Sequence, residues 1–178
     1  MSRVRITGGE WRSRRIQVID APGLRPTPDS VRETLFNWLG QDLSGLTCLD
    51  LFAGSGILGF EAASRGADEV ALVESSRSVF AALRRNAEAF ACPRLQLFCC
   101  DALKFSPPSA RRPFDLVFLD PPYGEGWLAR VESRLALLAA PGARVYAEAE
   151  GALDRLGPWV VTRRGRAGQV FFHLLEQE

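Results

Sequence analysis

Leu49-Asp50-Leu51-Phe52-Ala53-Gly54-Ser55-Gly56-Ile57-Leu58-Gly59 joins an apolar run, Cys48–Phe52, to a helical one, Leu58–Arg65, through a glycine-rich turn. A short buried strand that turns through glycines into a helix is the opening unit of a doubly wound α/β sheet. Outward from this unit the pattern repeats. Further strands are expected at Glu69–Glu74, Leu95–Cys100, Leu116–Asp120, Arg144–Ala149, Val160–Arg163 and Val170–Leu175. Helices are expected between them at Arg77–Ala89, Trp127–Leu138 and Ala152–Leu156. Repeated strand-helix units imply a mostly parallel sheet covered on both faces. The last two strands, joined through a basic turn containing glycine, have the pattern of an antiparallel hairpin.

The N-terminal stretch differs. Val4 to Val18 alternates between apolar and basic residues around Gly8-Gly9, which predicts a hairpin of Arg3–Thr7 and Trp11–Val18. Leu24-Arg25-Pro26-Thr27-Pro28 makes a stiff connection, with Thr27 placed as an N-cap and Pro28 at the first helical position. Val31, Leu35, Trp38 and Leu39 then recur at helical spacing up to Gly40. Two units follow: residues 1–23 as a hairpin extension and residues 24–178 as the α/β domain.

Gly54, Gly56 and Gly59 fit the dinucleotide fingerprint, and Glu74 lies about twenty residues on, where an acid for a ribose is expected. Spacing alone leaves NAD and S-adenosylmethionine open, since both are adenosine with a tail across the first strand. Charge favours the second. A pyrophosphate would be repelled by Asp50 at the strand end, whereas the ammonium group of a methionine tail would be attracted. Phe52, Ala53, Gly54, Ser55 and Gly56 are then placed to handle that tail, and Glu74 to accept from the ribose hydroxyls. Asp101, just after the third strand, can accept from the adenine amino group while Ala102 packs on the ring. The plainer alternatives are that Asp50 or Asp101 caps a helix and that Glu74 is a solvated strand end.

Asp120-Pro121-Pro122-Tyr123 closes the apolar run Phe114-Asp115-Leu116-Val117-Phe118-Leu119, at a strand end where open sheets place their ligands. An exocyclic amine on a nucleobase is a poor nucleophile because its lone pair is delocalised into the ring. Acceptors for its two N–H groups let nitrogen pyramidalise and aim that pair at an electrophile. Asp120 can accept one bond; the double proline fixes the backbone and leaves the Pro121 carbonyl to accept the other. Tyr123 offers a ring on which a base can stack. The competing interpretation is a Pro-Pro turn with an incidental acid and aromatic.

The whole chain, 178 residues with 47% hydrophobic and 24% charged content, has the composition of a soluble globular protein. It shows no signal peptide and no apolar stretch of membrane-spanning length, so a cytoplasmic location is expected. Cys48, Cys92, Cys99 and Cys100 lack zinc-ligand spacing and His173 is the single histidine, which argues for reduced thiols and against a metal site. The net charge of +1 conceals clusters: Arg3, Arg5, Arg12, Arg14 and Arg15 at one end, Arg163, Arg164 and Arg166 near the other. With Trp11 among the first group, the hairpin is expected to contact RNA through phosphates and stacking.

These residues together resemble the Rossmann-like S-adenosylmethionine-dependent methyltransferases and, within them, the RsmD family. Besides Asp50 to Gly56 and Asp120 to Tyr123, the similarity rests on Arg5-Ile6, Gly9-Glu10-Trp11-Arg12, Leu24-Arg25-Pro26-Thr27, Val31-Arg32-Glu33-Thr34-Leu35-Phe36-Asn37-Trp38-Leu39 and Ala167-Gly168-Gln169-Val170. The resemblance implies a seven-stranded sheet with an antiparallel last strand and an RNA-contacting N-terminal hairpin. It further implies methylation of guanine N2 in 16S rRNA, of the guanine 966 type, on an assembling 30S subunit. A monomer is expected. Arg25, Thr27, Arg32 and Asn37 are then candidates to close over the methionine tail or the target nucleotide. Rival readings are a DNA adenine-N6 methyltransferase, an NAD-dependent oxidoreductase and a noncatalytic RNA-binding protein. The first would need a recognition domain for which the chain has little room, and the second is opposed by Asp50 and the double proline.

Overall fold

The computed structural model describes residues 1–108 and 113–178. Its elements run β1 (Ser2–Arg5), β2 (Arg15–Val18), α1 (Asp29–Leu39), β3 (Thr47–Asp50), α2 (Ile57–Ser64), β4 (Glu69–Val73), α3 (Arg77–Phe90), β5 (Leu95–Phe98), β6 (Phe114–Leu119), α4 (Trp127–Leu138), β7 (Ala139–Ala149), β8 (Arg155–Leu156), β9 (Trp159–Ala167) and β10 (Val170–Gln177). β1 and β2 pair antiparallel, and the other strands form one sheet in the order β5-β4-β3-β6-β7-β10-β9-β8.

Every residue of β3 is buried, the polar Thr47 and Asp50 at its ends included, as a central parallel strand covered on both faces requires. It pairs parallel with β4 on one side and with β6 on the other. The chain therefore moves outward from β3 to β5, then returns to cross β3 and continue through β6 and β7. That reversal between β3 and β6 is the switch point at which such sheets bind ligands. β10 runs antiparallel between β7 and β9.

Period-two alternation divides the core. Cys48, Leu116, Phe118 and Tyr146 face α1, α2 and α3, while Leu49, Val117, Leu119 and Val145 face α4. Each such fully buried side chain contributes roughly 1.5–3 kcal/mol of transfer free energy. No helix among the described residues is long and apolar enough to cross a membrane.

The hairpin shares this core. Ile6, Trp11 and Ile16 belong to the same buried cluster as Phe60 and Leu83, and the Trp11 ring lies 4.6 Å from that of Phe90. The outer edge of β2 is closed by one side-chain amide: the Gln17 N–H donates to Asn86 Oδ1 at 3.0 Å, and Asn86 Nδ2 donates to the Gln17 carbonyl at 2.8 Å.

Several expectations are corrected. Thr27 is not the N-cap of α1; Pro28 holds that position without a side-chain bond, because the Thr27 hydroxyl is drawn into the sheet edge by Glu148 at 3.1 Å. The expected helix Ala152–Leu156 is absent. The Leu153 N–H donates to His173 Nε2 at 3.0 Å and its carbonyl accepts from Arg164 at 2.8 Å, so its backbone is bound to the sheet, and Arg155–Leu156 pairs with β9 as an eighth strand. The second hairpin strand begins at Arg15, not Trp11, since Trp11 to Arg14 turn back over Ile6. β7 begins directly after α4, five residues before Arg144, through a register shift opposite Phe114 and Leu116.

Candidate active site

Five adjacent parallel strands each bring an acid to the carboxyl edge of the sheet. In spatial order from β5 through β4, β3 and β6 to β7, these are Asp101, Glu74, Asp50, Asp120 and Glu148. Parallel pairing aligns the strand ends, so acids far apart in sequence form one row.

Asp50, the last residue of β3, is 1% exposed. Its Oδ2 accepts the Gly59 N–H at 3.2 Å, and its Oδ1 is buried without a partner. Burial, opposed by the Gly59 bond and reinforced by Glu74 and Glu148, pushes its carboxyl up to about 7. A buried acceptor oxygen with no donor is costly in isolation and suits a cationic donor from outside the chain.

Beside it, Glu74 Oε2 accepts the Gly54 N–H at 3.2 Å and its Oε1 accepts the Ser76 N–H at 3.1 Å. The glycine turn is thus tied to the neighbouring strand end. Gly56 sits at φ 88°, and a Cβ there would lie 2.5 Å from Leu83 Cδ1, so the turn admits no side chain. Across the turn, a Cβ on Gly54 would meet Leu24 Cδ1 at 2.9 Å. Ala53 and Ser55 are buried; the Ala53 N–H donates to the Val73 carbonyl at 2.8 Å. Phe52 packs edge-on against Trp127, with centroids 5.4 Å apart. Asp101 Oδ1 accepts the Leu103 N–H at 2.7 Å, and Ala102 is 5% exposed.

Asp120 opens the next loop. Burial first, then Glu148 through charge and a shared hydrogen bond, then Asp50, hold its carboxyl well above the ordinary range. The Thr27 hydroxyl lies 3.4 Å from Asp120 Oδ2 and 3.1 Å from Glu148 Oε1. Tyr146 donates its hydroxyl to the same Glu148 oxygen at 2.7 Å. Pro121 is buried, whereas Pro122 and Tyr123 face solvent, Tyr123 at 45% exposure. Partial burial and the charges of Glu148, Asp120 and Glu150 push the Tyr123 phenol up to about 12, so it stays neutral.

The structure thus gathers Asp50, Phe52, Ala53, Gly54, Ser55, Gly56, Glu74, Asp101, Ala102, Thr27 and Asp120 to Tyr123 along one edge. Two expected site residues lie elsewhere. Arg32 is wholly buried, donating to the Thr27 and Arg5 carbonyls at 2.9 and 2.6 Å and to Glu61 at 2.8 Å, so its guanidinium is not presented to a ligand. Trp11 is 5% exposed and packed on Phe60 and Phe90, because an indole on a small hairpin is more stable as its anchor than as a solvated platform. Arg3, Arg5, Arg12, Arg14, Arg15 and Arg25 remain exposed. Arg5 pairs with Asp29 at 2.8 Å, and Arg14 lies over Phe90 at 3.9 Å. Asn37 is exposed and accepts from Gln41 at 3.0 Å.

Sequence reasoning passed over Glu148 and Tyr146. The signal was present: Glu148 is an acid inside the apolar run Val145-Tyr146-Ala147-Glu148-Ala149, which a buried strand tolerates only for a reason.

The family described as "Conserved hypothetical protein 95" matches residues 4–176. "Ribosomal RNA small subunit methyltransferase D" of Escherichia coli strain K12 is 40% identical over 98% of this chain and 90% of its own length. The solved structure of yhhF from Escherichia coli superposes with a TM-score of 0.86 at 36% identity, covering 99% of both chains. An RNA methyltransferase from Salinibacter ruber, solved in complex with S-adenosyl-L-homocysteine, shares the fold at a TM-score of 0.67 and 18% identity, over 86% of this chain and 94% of its own. The chain belongs to the Conserved hypothetical protein 95 family, that of the small-subunit ribosomal RNA methyltransferases D.

Proposed function

We propose that this protein transfers a methyl group from S-adenosylmethionine to the exocyclic N2 of a guanine in 16S rRNA, acting as a monomer on an assembling 30S subunit. The observation that carries this reading is the row of acids along the carboxyl edge, running from the glycine turn into Asp120-Pro121-Pro122-Tyr123. S-adenosylmethionine supplies a methyl group on a positively charged sulfur. The residues present suit such a ligand: the unpartnered Asp50 Oδ1 is an acceptor for its ammonium group, and Glu74 is an acceptor for ribose hydroxyls. Asp101 and Ala102 take the adenine, and the narrow glycine turn lets the backbone approach the tail.

On the base side, Asp120 and the Pro121 carbonyl accept from the amine and Tyr123 stacks on the extruded ring. The Asp120 carboxyl, half-buried and held by Thr27, favours the pyramidal nitrogen more than the planar one, which is how positioning and electrostatics lower the barrier. The exposed Arg3, Arg12, Arg14, Arg15 and Arg25 contact RNA phosphates. Thr27 acts by holding the acids, and Arg32 by holding Thr27.

The test is transfer of labelled methyl to small subunits from cells lacking the protein, followed by nucleoside analysis. N2-methylguanosine at one site is expected. Label in adenosine, or no label while S-adenosylmethionine still binds, would overturn the assignment. Asp120→Ala should abolish transfer while leaving cofactor affinity nearly intact.

A further inference from the structure

Glu148 has no role in the chemistry described so far, yet it is 5% exposed at the carboxyl edge beside the reacting group. Among the described residues no arginine or lysine is paired with it or with Asp120. The Thr27 hydroxyl has a single hydrogen for two carboxylates, 3.1 and 3.4 Å away, and Tyr146 gives its hydrogen to Glu148. The two carboxyls therefore share one Thr27 hydrogen and are themselves within hydrogen-bond reach of each other. Like charges in hydrogen-bond contact favour a form in which one proton lies between them, the direction in which Asp120 is raised.

We propose that Glu148 is the proton-holding partner of Asp120, and that the two carboxyls together receive the proton shed by the exocyclic amine as it is methylated. The proposal rests on the amine-methylation reading above. In the transfer the nitrogen lone pair forms the N–C bond to the methyl carbon. The C–S bond breaks with its electrons left on sulfur, which becomes a neutral thioether. The active form is the pair after its shared proton has left to solvent; nitrogen is left with one proton too many, and that proton passes to Asp120 and is shared with Glu148 in the vacated place before escaping to solvent in turn. Positive charge is conserved, moving from sulfur to the carboxyl pair. The pair can accept it because Glu148 spreads the proton away from the base, leaving Asp120 free to keep its hydrogen bond to the product amine.

The groups facing the pair are few. Asp50 faces it from β3, Tyr146 from β7, Tyr123 with Glu150 from the adjoining loop ends, and Thr27 from the segment before α1, with Arg32 behind it on the Thr27 carbonyl. On β10 the cross-strand partner of Glu148 is Phe172, and His173 is turned to the Ala147 carbonyl and Leu153. Tyr146, buried and beside these acids, is held well above its ordinary range and remains a donor.

Glu148→Gln keeps the shape and the acceptor for Tyr146 but cannot take a proton. Its kcat should fall about 10- to 100-fold, while both KM values and the melting temperature stay close to wild type. Its acid limb should move to lower pH, because Asp120 alone loses the neighbouring charge that raises it. Tyr146→Phe should move the acid limb the opposite way, since the ionised pair loses the hydroxyl that donates to it. In the ligand-free protein, the infrared band of a protonated carboxyl, recorded above the titration of Asp50, should vanish in Glu148→Gln. Unshifted limbs in both variants, or an unchanged carboxyl band, would overturn the role of Glu148. Wild-type protein that methylates no guanine would instead overturn the reaction itself, so the two failures are distinct.

Discussion

Arg32 Nη1 stands 2.8 Å from Glu61 Oε1, and both side chains are completely buried. The same guanidinium donates to the carbonyls of Thr27 and Arg5 and to Asp29, while Glu61 also accepts from Arg65 and from the Thr7 N–H and hydroxyl. One ion pair thus joins the hairpin, α1, α2 and the segment that carries Thr27 to the active edge. Removing Arg32 leaves Glu61 with Arg65 and Thr7 but takes a buried cation from the network and the donor from the buried Thr27 and Arg5 carbonyls, at a cost of about 3–5 kcal/mol. Arg32→Met should lower stability by that order in urea unfolding and speed hydrogen exchange across the hairpin; a loss below roughly 1 kcal/mol would show the pair to be dispensable.

Asp50 titrates near 3.8 in an unfolded chain and is pushed up to about 7 in the native one. The native state binds the extra proton between these values. The stabilisation is therefore complete below the lower one and is lost as pH rises through about 7, amounting at most to roughly 4 kcal/mol. Asp120, raised in the same direction, adds to the slope. Ligand-free protein should thus be more resistant to urea at mildly acidic than at mildly alkaline pH, with a smaller difference in Asp50→Asn. Cofactor affinity should run the other way and rise as pH passes about 7, because the ammonium group pairs with the ionised carboxyl. An affinity that is flat with pH in the wild type would separate Asp50 from the cofactor.

The fold was legible because its signals are local and periodic. The buried run Thr47–Asp50, the glycine turn and the acids at successive strand ends each declare themselves within a few residues. What escaped depends on contacts between distant segments. Thr27 has the sequence of an N-cap, and only the approach of Glu148, 121 residues away, turns its hydroxyl into the site. Trp11 sits in a polar, basic stretch and Arg32 is the single cation of an amphipathic helix, so nothing nearby shows that Phe90 and Glu61 will bury them. The helix expected at Ala152–Leu156 lies between Gly151 and Gly157, and with so few turns of its own it yields to sheet partners on β9 and β10.

Trp11 and the hairpin arginines should separate cleanly. Trp11→Ala empties part of the core and should cost about 3–5 kcal/mol. Arg3→Ala and Arg15→Ala alter an exposed face and should leave the melting temperature nearly unchanged, but each should weaken binding to small subunits and reduce the salt slope by about one contact. Calorimetry and salt-dependent binding measure the two effects. A salt slope that persists with both arginines removed would take the hairpin out of the RNA interface.

Gly56 tests whether the glycine turn is a binding device or a packing necessity. At φ 88° any other residue is strained, and a Cβ would press on Leu83 Cδ1 at 2.5 Å and Phe60 Cε2 at 2.8 Å, both fully buried rings or branches in the core. Gly56→Ala should therefore cost about 1–3 kcal/mol even without ligand. Gly54, at φ 55°, has only the Leu24 Cδ1 end within reach, so Gly54→Ala should disturb the empty protein less. Its Cβ would stand where the cofactor tail approaches the backbone, and the Glu74 carboxylate is anchored to its N–H. We expect Gly54→Ala to weaken S-adenosylmethionine binding by more than tenfold at a stability cost of only about 1 kcal/mol for its left-handed backbone, and Gly56→Ala to lose both together. If Gly54→Ala binds as wild type does, the turn is there for packing alone and the tail lies elsewhere along the edge.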